Sequence, residues 1–320
     1  MIQLAIVGLG GWGRRLVEAV QGRSDRVRFV AAVTPRPDKI RDFADAKDIR
    51  VTPDYGDVLA DPSVDGIVSC GPAHLHGEHS LVALQSGKPV LAVKPMSLFA
   101  EEATRLEAAA REQGVLLALG YNRCFMPHVT ALREELGADA LGELLHTEGN
   151  FCVNRYFHLK NEGWKADPEL ARPGSLADHI LYLTIATLGP LADVYAVARH
   201  DVSANRLADV VAAVARSRGG ASALLTGIGT TAELFRFHVF GSKGWAELRG
   251  DATFRLETTG GRTIDVDLPR ADAELLEVEA FADAIAGRAT FPVPIGDAVH
   301  GVAALAAIAR SAASKRVEPI

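Results

Sequence analysis

Cysteine is scarce in this chain. Three are present, Cys70, Cys124 and Cys152, widely separated and with no C-x-x-C pair among them. An odd, scattered set of this kind excludes a disulfide framework and a zinc knuckle, and a bound metal is not expected. It suits thiols kept reduced, so a cytoplasmic protein is expected. Long apolar runs are also missing: no stretch reaches the roughly 18 residues that a membrane span requires. Met1 leads directly into Gln3-Leu4-Ala5-Ile6-Val7 with no basic leader, so no signal peptide is expected. There is no basic excess. Lys and Arg total 34 against 40 Asp and Glu, a formal net charge of -6, which argues against nucleic acid as a main partner. A local basic pocket for one small anion is still compatible with that balance. No internal repeat and no low-complexity tract occurs.

What is present is ordinary for a folded protein, with 48% hydrophobic and 23% charged residues. A length of 320 residues suggests two domains. The apolar run 2–7 reads as a buried strand ending at Gly8. Leu16, Val17 and Val20 then recur at helical spacing, and Phe29–Val33 is a second strand. A charged helix is expected around Asp38–Ala46. Strands are expected at Asp65–Cys70, Pro89–Val93 and Gly114–Leu119, with helices at His79–Leu84 and Glu101–Gln113. Strand–helix alternation over this length implies a doubly wound parallel sheet, an α/β domain expected over residues 1–121.

The rhythm changes after Tyr121. A helix near Pro127–Leu136, a strand at Glu143–Phe151 and a helix near Ser175–Leu188 precede several strands with no helices between them. These are Ala192–Arg199, Val210–Arg216, Ala221–Gly229, Leu234–Phe240, Gly244–Leu248 and Thr253–Thr258, with turns at Gly241-Ser242 and Gly260-Gly261. The pattern predicts an α+β domain over 122–320, built on a mostly antiparallel, open-faced sheet. Helices Ala273–Ala286 and Asp297–Ala313 close the chain.

Gly8-Leu9-Gly10-Gly11-Trp12-Gly13 lies between the first strand and the first helix. Gly8 permits the tight turn, Gly10 lets backbone approach a pyrophosphate, and Gly13 lets helix and strand pack closely. A pyrophosphate there meets free N–H groups and the positive end of the helix dipole. A lone G-x-G-x-x-G is weak, but here strand, turn, helix and second strand occur at the required spacing. A Rossmann domain holding NAD or NADP is therefore expected, with Gly11 and Trp12 in the same turn. An acid at the end of the second strand would bind the ribose of NAD. That place is held by Thr34, with Pro35 and Arg36 after it and no acid before Asp38. A hydroxyl and a planar guanidinium suit a 2′-phosphate instead, which favours NADP. The plainer alternative is that Arg36 heads a solvated helix.

Gly87-Lys88-Pro89-Val90-Leu91-Ala92-Val93-Lys94-Pro95, together with the glycine turn, resembles the glucose–fructose oxidoreductase, inositol dehydrogenase and MocA (Gfo/Idh/MocA) family, which carries Gly-Lys-x-Val-x-x-Glu-Lys-Pro at this point. Ala73-His74-Leu75-His76 is similar to the family's Asn-His-Leu-His. Gly120-Tyr121-Asn122-Arg123-Cys124-Phe125 is similar to Gly-Tyr-Asn-Arg-Arg-Phe. Pro173-Gly174-Ser175-Leu176-Ala177-Asp178 resembles Gly-Gly-x-Leu-x-Asp, and Gly241-Ser242-Lys243-Gly244 and Ile308–Ala312 also match. The resemblance implies an oxidoreductase that moves hydride between nicotinamide and a carbinol carbon of a sugar, cyclitol or related small polar substrate. It implies homodimers or homotetramers formed through the open sheet. It also implies cofactor contacts at Gly71, Pro72, His76, Val93, Asn122 and Arg123; the plainer role for the last two is a domain-linking hydrogen bond.

Lys94 stands at the carboxyl end of a parallel strand, where ligands of such sheets bind, and a cation there favours deprotonation of a substrate hydroxyl. Asp178 and Tyr182 are spaced i,i+4 and share a face if helical. Most family members have Asp followed four residues later by His; some use Tyr, as here. Tyr182 serves as acid or base only if its reference pKa of about 10 is lowered. His179 is a rival proton carrier, turned about 100° from Asp178 around the helix. Asp178 has a structural alternative as the last residue of a capping-box-like Ser175-x-x-Asp178, and Tyr182 as a core aromatic. His74, His76 and His79 have spacings that zinc could use, although the resemblance places them beside the cofactor. Arg155, Tyr156, His158, Lys160 and Trp164 form a basic, aromatic segment expected to line a pocket or to be a solvated loop.

One departure stands out. The family's Glu before the lysine is Val93 here, so a carboxylate is missing beside Lys94. That keeps two rivals to a dehydrogenase open: an inactive nucleotide-binding regulator, and a lyase or hydrolase using held NAD.

Overall fold

The computed structural model describes residues 1–159, 176–204 and 206–320. They fall into two compact units, Met1–Asn122 with Asp272–Val299, and Arg123–Ala271 with His300–Ile320.

The first unit carries β1 (Ile2–Val7), α1 (Gly11–Val20), β2 (Val27–Val33), α2 (Arg41–Asp45), β3 (Arg50–Thr52), α3 (Tyr55–Leu59), β4 (Gly66–Ser69), α4 (His76–Gln85), β5 (Val90–Val93), α5 (Ala100–Gln113) and β6 (Leu117–Gly120). The strands form one parallel sheet in the order β3-β2-β1-β4-β5-β6. Every residue of β4, β5 and β6 is buried, which is why they read as unbroken apolar runs and not as alternating ones. α1 buries Leu16, Val17 and Val20, the positions whose helical spacing predicted it. α5 carries Glu101 and Glu102 in its first turn and Arg111 in its last, matching the helix dipole, and stops at left-handed Gly114. Strand order reverses between β1 and β4, so their carboxyl ends flank the crevice where doubly wound sheets bind ligands. β3 and α3 were not anticipated: at three and five residues they are too short for a periodic signal.

The second unit contains α6 (Pro127–Gly137), β7 (Leu144–Cys152), α7 (Asp178–Leu188), β8 (Leu191–Arg199), β9 (Val210–Ser217), β10 (Ser222–Ile228), β11 (Leu234–Gly241), β12 (Gly244–Arg249), β13 (Thr253–Thr258), β14 (Thr263–Asp267) and β15 (Glu318–Pro319). Their sheet runs β14-β13-β12-β11-β7-β10-β9-β8-β15, antiparallel except where β7 and β10 pair in parallel. α7 packs on β7 and β10 at two glycines. A Cβ on Gly149 would lie 2.7 Å from Ile180 Cγ2, and one on Gly227 would lie 2.6 Å from the backbone nitrogen of Ala177. Elsewhere the sheet leaves Tyr195, Val197, Val214 and Leu224 exposed.

α8 (Ala273–Ile285) brings a difference from the sequence reading, which placed everything after residue 121 in the second domain. α8 belongs to the first unit, packed on α1 and β2. Asp272 caps it, accepting from the Leu275 N–H at 3.2 Å, and also pairs with Arg23 at 2.6 Å. Ser24 donates to Glu279 at 2.7 Å and Arg26 pairs with Asp283 at 3.0 Å. A helix's own periodicity shows that it has an apolar stripe, not which sheet the stripe meets. The division between the units falls within α9 (Ile295–Ser314). No helix among the described residues is long and apolar enough to cross a membrane.

Candidate functional site

In the first unit the glycine turn is built by close packing at two positions and by openness at two others. Gly8 has φ +95°, and a Cβ there would sit 2.5 Å from the Cα of Gly71. A Cβ on Gly13 would strike the carbonyl oxygen of Gly8. At Gly10 and Gly11 a Cβ would meet nothing within 4 Å. The fold therefore needs glycine at 8 and 13 for itself, whereas at 10 and 11 the space outside the backbone is clear. Gly10 caps α1 without a side-chain hydrogen bond, and the first turn has no acid. The helix thus offers its N–H groups and positive dipole end to an anion with nothing already bonded to them by a capping side chain. The residues present fit a dinucleotide pyrophosphate.

Around this turn, Trp12 is 37% exposed with the Arg15 guanidinium 5.3 Å from its ring centre. Thr34 Oγ1 accepts from the Arg36 N–H at 3.4 Å just beyond β2. Arg36 is exposed and has no ion-pair partner among the described residues, while the nearby acid, Asp38, pairs with Arg41 at 3.0 Å. Gly71 and Pro72 follow β4 beside the turn.

His76 departs from its expected role as a cofactor contact. It is 3% exposed, and its Nδ1 and Nε2 lie 2.8 Å from the carbonyl oxygens of Pro95 and Gly71. A neutral ring donates to one of these and a protonated ring to both. Burial is the main influence and lowers its pKa; the Pro95, Gly71 and Val93 carbonyls oppose that. His76 thus ties the residue after Lys94 to the residue that closes the glycine turn. Among the described residues, no cluster of three His, Cys, Asp or Glu is placed to hold a metal ion.

Lys94 directly follows β5, and Val93 is buried beside Gly120 of β6. Asn122 Nδ2 donates to Glu274 Oε1 at 3.3 Å, and Arg15 pairs with the same carboxylate at 2.8 Å. Asn122 is thereby engaged within the first unit.

In the second unit, Asp178 and Tyr182 are each 1% exposed on the buried side of α7, and His179 is partly exposed. The i,i+4 spacing thus puts the first two on one face. The His179 ring lies 4.3 Å from that of Phe151. Arg123 stacks over Phe235 at 4.4 Å and Phe151 at 5.0 Å and pairs with Asp251 at 3.3 Å, so its guanidinium is held inside this unit. Tyr156, expected to line a pocket, is core instead: it is 5% exposed and packs with Leu159, Leu176 and Leu207. Arg155 and His158 are exposed. Lys160, Trp164, Pro173, Gly174 and Ser175 lie outside the described residues. The sequence reading did not single out Glu277 of α8, which is 1% exposed with its carboxyl against Gly120, because its helix looked like part of the other domain.

The family model described as "Oxidoreductase family, NAD-binding Rossmann fold" matches residues 2–121, and the GFO/IDH/MocA C-terminal domain matches residues 129–247. The chain belongs to this oxidoreductase family. Among GFO/IDH/MocA relatives, it is 28% identical over 192 residues to the scyllo-inositol 2-dehydrogenase (NADP(+)) IolW of Bacillus subtilis (strain 168), covering 59% of this chain and 52% of that one. It is 26% identical over 153 residues to the scyllo-inositol 2-dehydrogenase (NAD(+)) of the same organism, covering 46% and 44%. The chain thus spans about half the length of these curated relatives. The WlbA dehydrogenase of Bordetella pertussis, solved with NADH and UDP-GlcNAcA, shares the fold at a TM-score of 0.86 and 19% identity, over 100% of this chain and 97% of that one.

Proposed function

We propose that this GFO/IDH/MocA protein is an NADP-preferring dehydrogenase or reductase acting on a CH–OH group of a sugar, cyclitol or sugar acid. The observation that carries the reading is the contrast within the glycine turn. Gly8 and Gly13 are fixed by the protein's own packing, while Gly10 and Gly11 face open space at the uncapped start of α1. Gly8, Gly10, Gly11, Trp12 and Gly13 hold the pyrophosphate end, with Gly71 and Pro72 beside them. Thr34 and Arg36 take a 2′-phosphate, and Asp38, the next acid along the chain, is paired with Arg41. Val93 and Lys94 lie at the nicotinamide end. When bound, the cofactor supplies hydride transfer.

Lys94 holds the substrate hydroxyl and favours loss of its proton, which a fixed cation stabilises strongly where water is excluded. Asp178 orients the hydroxyl or the proton carrier. Tyr182 carries the proton, with His179 as the alternative. Relatives named for NADP and for NAD support the chemistry without deciding between the cofactors. For the assembly, the exposed row Tyr195, Val214 and Leu224, adjacent across β8, β9 and β10, supports a second copy of this chain on the open sheet face.

A spectrophotometric screen of sugars, cyclitols and sugar acids with NADP and NAD tests the function. Substrate-dependent net reduction of NADP is expected. Catalysis without net cofactor turnover would indicate a lyase or hydrolase, and cofactor binding with no reaction a regulator. Tyr182→Phe is expected to cost about 10²–10⁴-fold in kcat; full turnover in that variant would move the proton role to His179.

A further inference from the structure

Glu277 lies on the buried side of α8 at 1% exposure, and its Oε2 has no hydrogen-bond partner among the described residues. Its position follows from the sheet register. Ile67, Val68 and Ser69 of β4 pair with Val90, Leu91 and Ala92 of β5, and Val90–Val93 pair with Leu117–Gly120 of β6. One further step places Cys70 beside Val93. Partners across a parallel ladder send their side chains to the same face. Cys70, Val93 and Gly120 therefore form a transverse row on one face, at the carboxyl ends of three strands.

Glu277 reaches that row. Its Oε1 is 2.9 Å from where a Cβ on Gly120 would stand, so the carboxyl lies close against the backbone at that position. Burial and then Glu277 push the Cys70 thiol up to about 12, which places the two side chains together. The Glu277 carboxyl thus lies on the face of the sheet to which Val93 points. Burial, and then Glu274, push Glu277 up to about 8. Glu274 shares its helix and is itself paired with Arg15 of α1; Cys70 faces it just beyond β4; Val93 and Gly120 bring no charge from β5 and β6. Among the described residues no cation forms an ion pair with Glu277, and a buried acid so placed tends to keep its proton.

We propose that Glu277 is an acid of the cofactor site that keeps its proton in the free protein and releases it when the oxidised, cationic nicotinamide binds. This rests on the dinucleotide reading above. The O–H bond of the carboxylic acid breaks, the proton passes to solvent, and the carboxylate remains to balance the ring's positive charge. The reduced, uncharged ring brings no such release. Glu277 would then favour the oxidised cofactor more strongly as pH rises.

The test adds NADP+, NAD+ and NADPH separately to the full chain in weakly buffered solution near neutrality. A pH indicator reports proton release, and equilibrium dialysis reports binding. The oxidised cofactor that binds is expected to release a proton from the wild type, NADPH none, and Glu277→Gln none while still binding. Affinity for the oxidised form should climb by up to about tenfold per pH unit below about 8 in the wild type and stay flat in the variant. Binding without release, or equal release from Glu277→Gln, overturns the proposal and leaves the dinucleotide reading intact. Failure of every nucleotide to bind overturns both. Should Glu277→Gln not fold, difference infrared spectroscopy of the wild type decides: loss of a protonated-carboxyl band on adding oxidised cofactor supports the proposal, and an unchanged band overturns it.

Discussion

Gly8 and Gly71 approach so closely that a Cβ on Gly8 would lie 2.5 Å from the Cα of Gly71, at a backbone φ of +95°. Two residues on, a Cβ on Gly10 would touch nothing within 4 Å. The two glycines should therefore fail differently. Gly8→Ala meets an immovable backbone in a conformation that costs a side chain about 1–3 kcal/mol before the clash is counted, so its Tm should fall by several degrees. Gly10→Ala should leave Tm nearly unchanged, within about 0.5 kcal/mol, as open surface substitutions do. It should still weaken NADPH binding about tenfold or more, by pushing a methyl into the path of the pyrophosphate. Thermal melts beside fluorescence titrations separate the outcomes. A Gly10→Ala protein that melts early would show that the glycine serves the fold.

His76→Phe removes the ring nitrogens that lie 2.8 Å from the carbonyl oxygens of Gly71 and Pro95. Leaving a buried acceptor unmatched costs about 1–3 kcal/mol. Because Pro95 adjoins Lys94, the expected signature is a drop in kcat larger than any change in cofactor affinity. Steady-state kinetics with equilibrium binding measure both. A loss confined to NADPH affinity would restore His76 as a direct cofactor contact.

Arg36→Ala tests the choice of cofactor. Hydrogen bonds to a charged group are worth about 1.5–3 kcal/mol, so NADPH affinity should fall at least about tenfold while NADH affinity holds. Parallel titrations give the ratio. Equal losses for the two cofactors would mean that Arg36 does not read the 2′-phosphate.

Glu277 also predicts a pH effect on stability. Its folded-state pKa, near 8, lies above that of an exposed glutamate, about 4.5. Between those values the folded chain binds more protons than the unfolded one, so this group's contribution falls as pH rises through that window and continues to fall until the folded pKa is passed. Tm measured from about pH 5 to 9 should therefore decline more steeply in the wild type than in Glu277→Gln. Parallel curves would show that Glu277 is not protonated in the fold.

Most of the architecture was legible because it rests on local patterns. Buried parallel strands are continuous apolar runs, and β4, β5 and β6 were recognisable as such. Two turns of the second unit were read from glycines: Gly260 and Gly261 do stand between β13 and β14, while Gly241 closes β11 and Ser242 follows it. Short elements such as β3 and β15 carry too few residues for a period to register. The burial of Tyr156 and the carbonyl contacts of His76 were hidden for another reason: aromatic and polar side chains in a motif look the same in sequence whether they face a ligand or a carbonyl in the core.

The sequence by itself determined the glycine turn, the strand that delivers Lys94, the i,i+4 pairing of Asp178 with Tyr182, and the loss of an acid at Val93. Each depends on residues near one another along the chain, where spacing and direction are set by helix and strand geometry. The tertiary structure decided what long-range packing alone can decide. It assigned α8 to the sheet of the first unit, turned His76 inward between two carbonyls, and set Glu277 against Gly120, more than 150 residues away in the chain. A register between strands and the stripe of a distant helix bring that carboxyl to the face of Val93, and no local pattern encodes such a meeting.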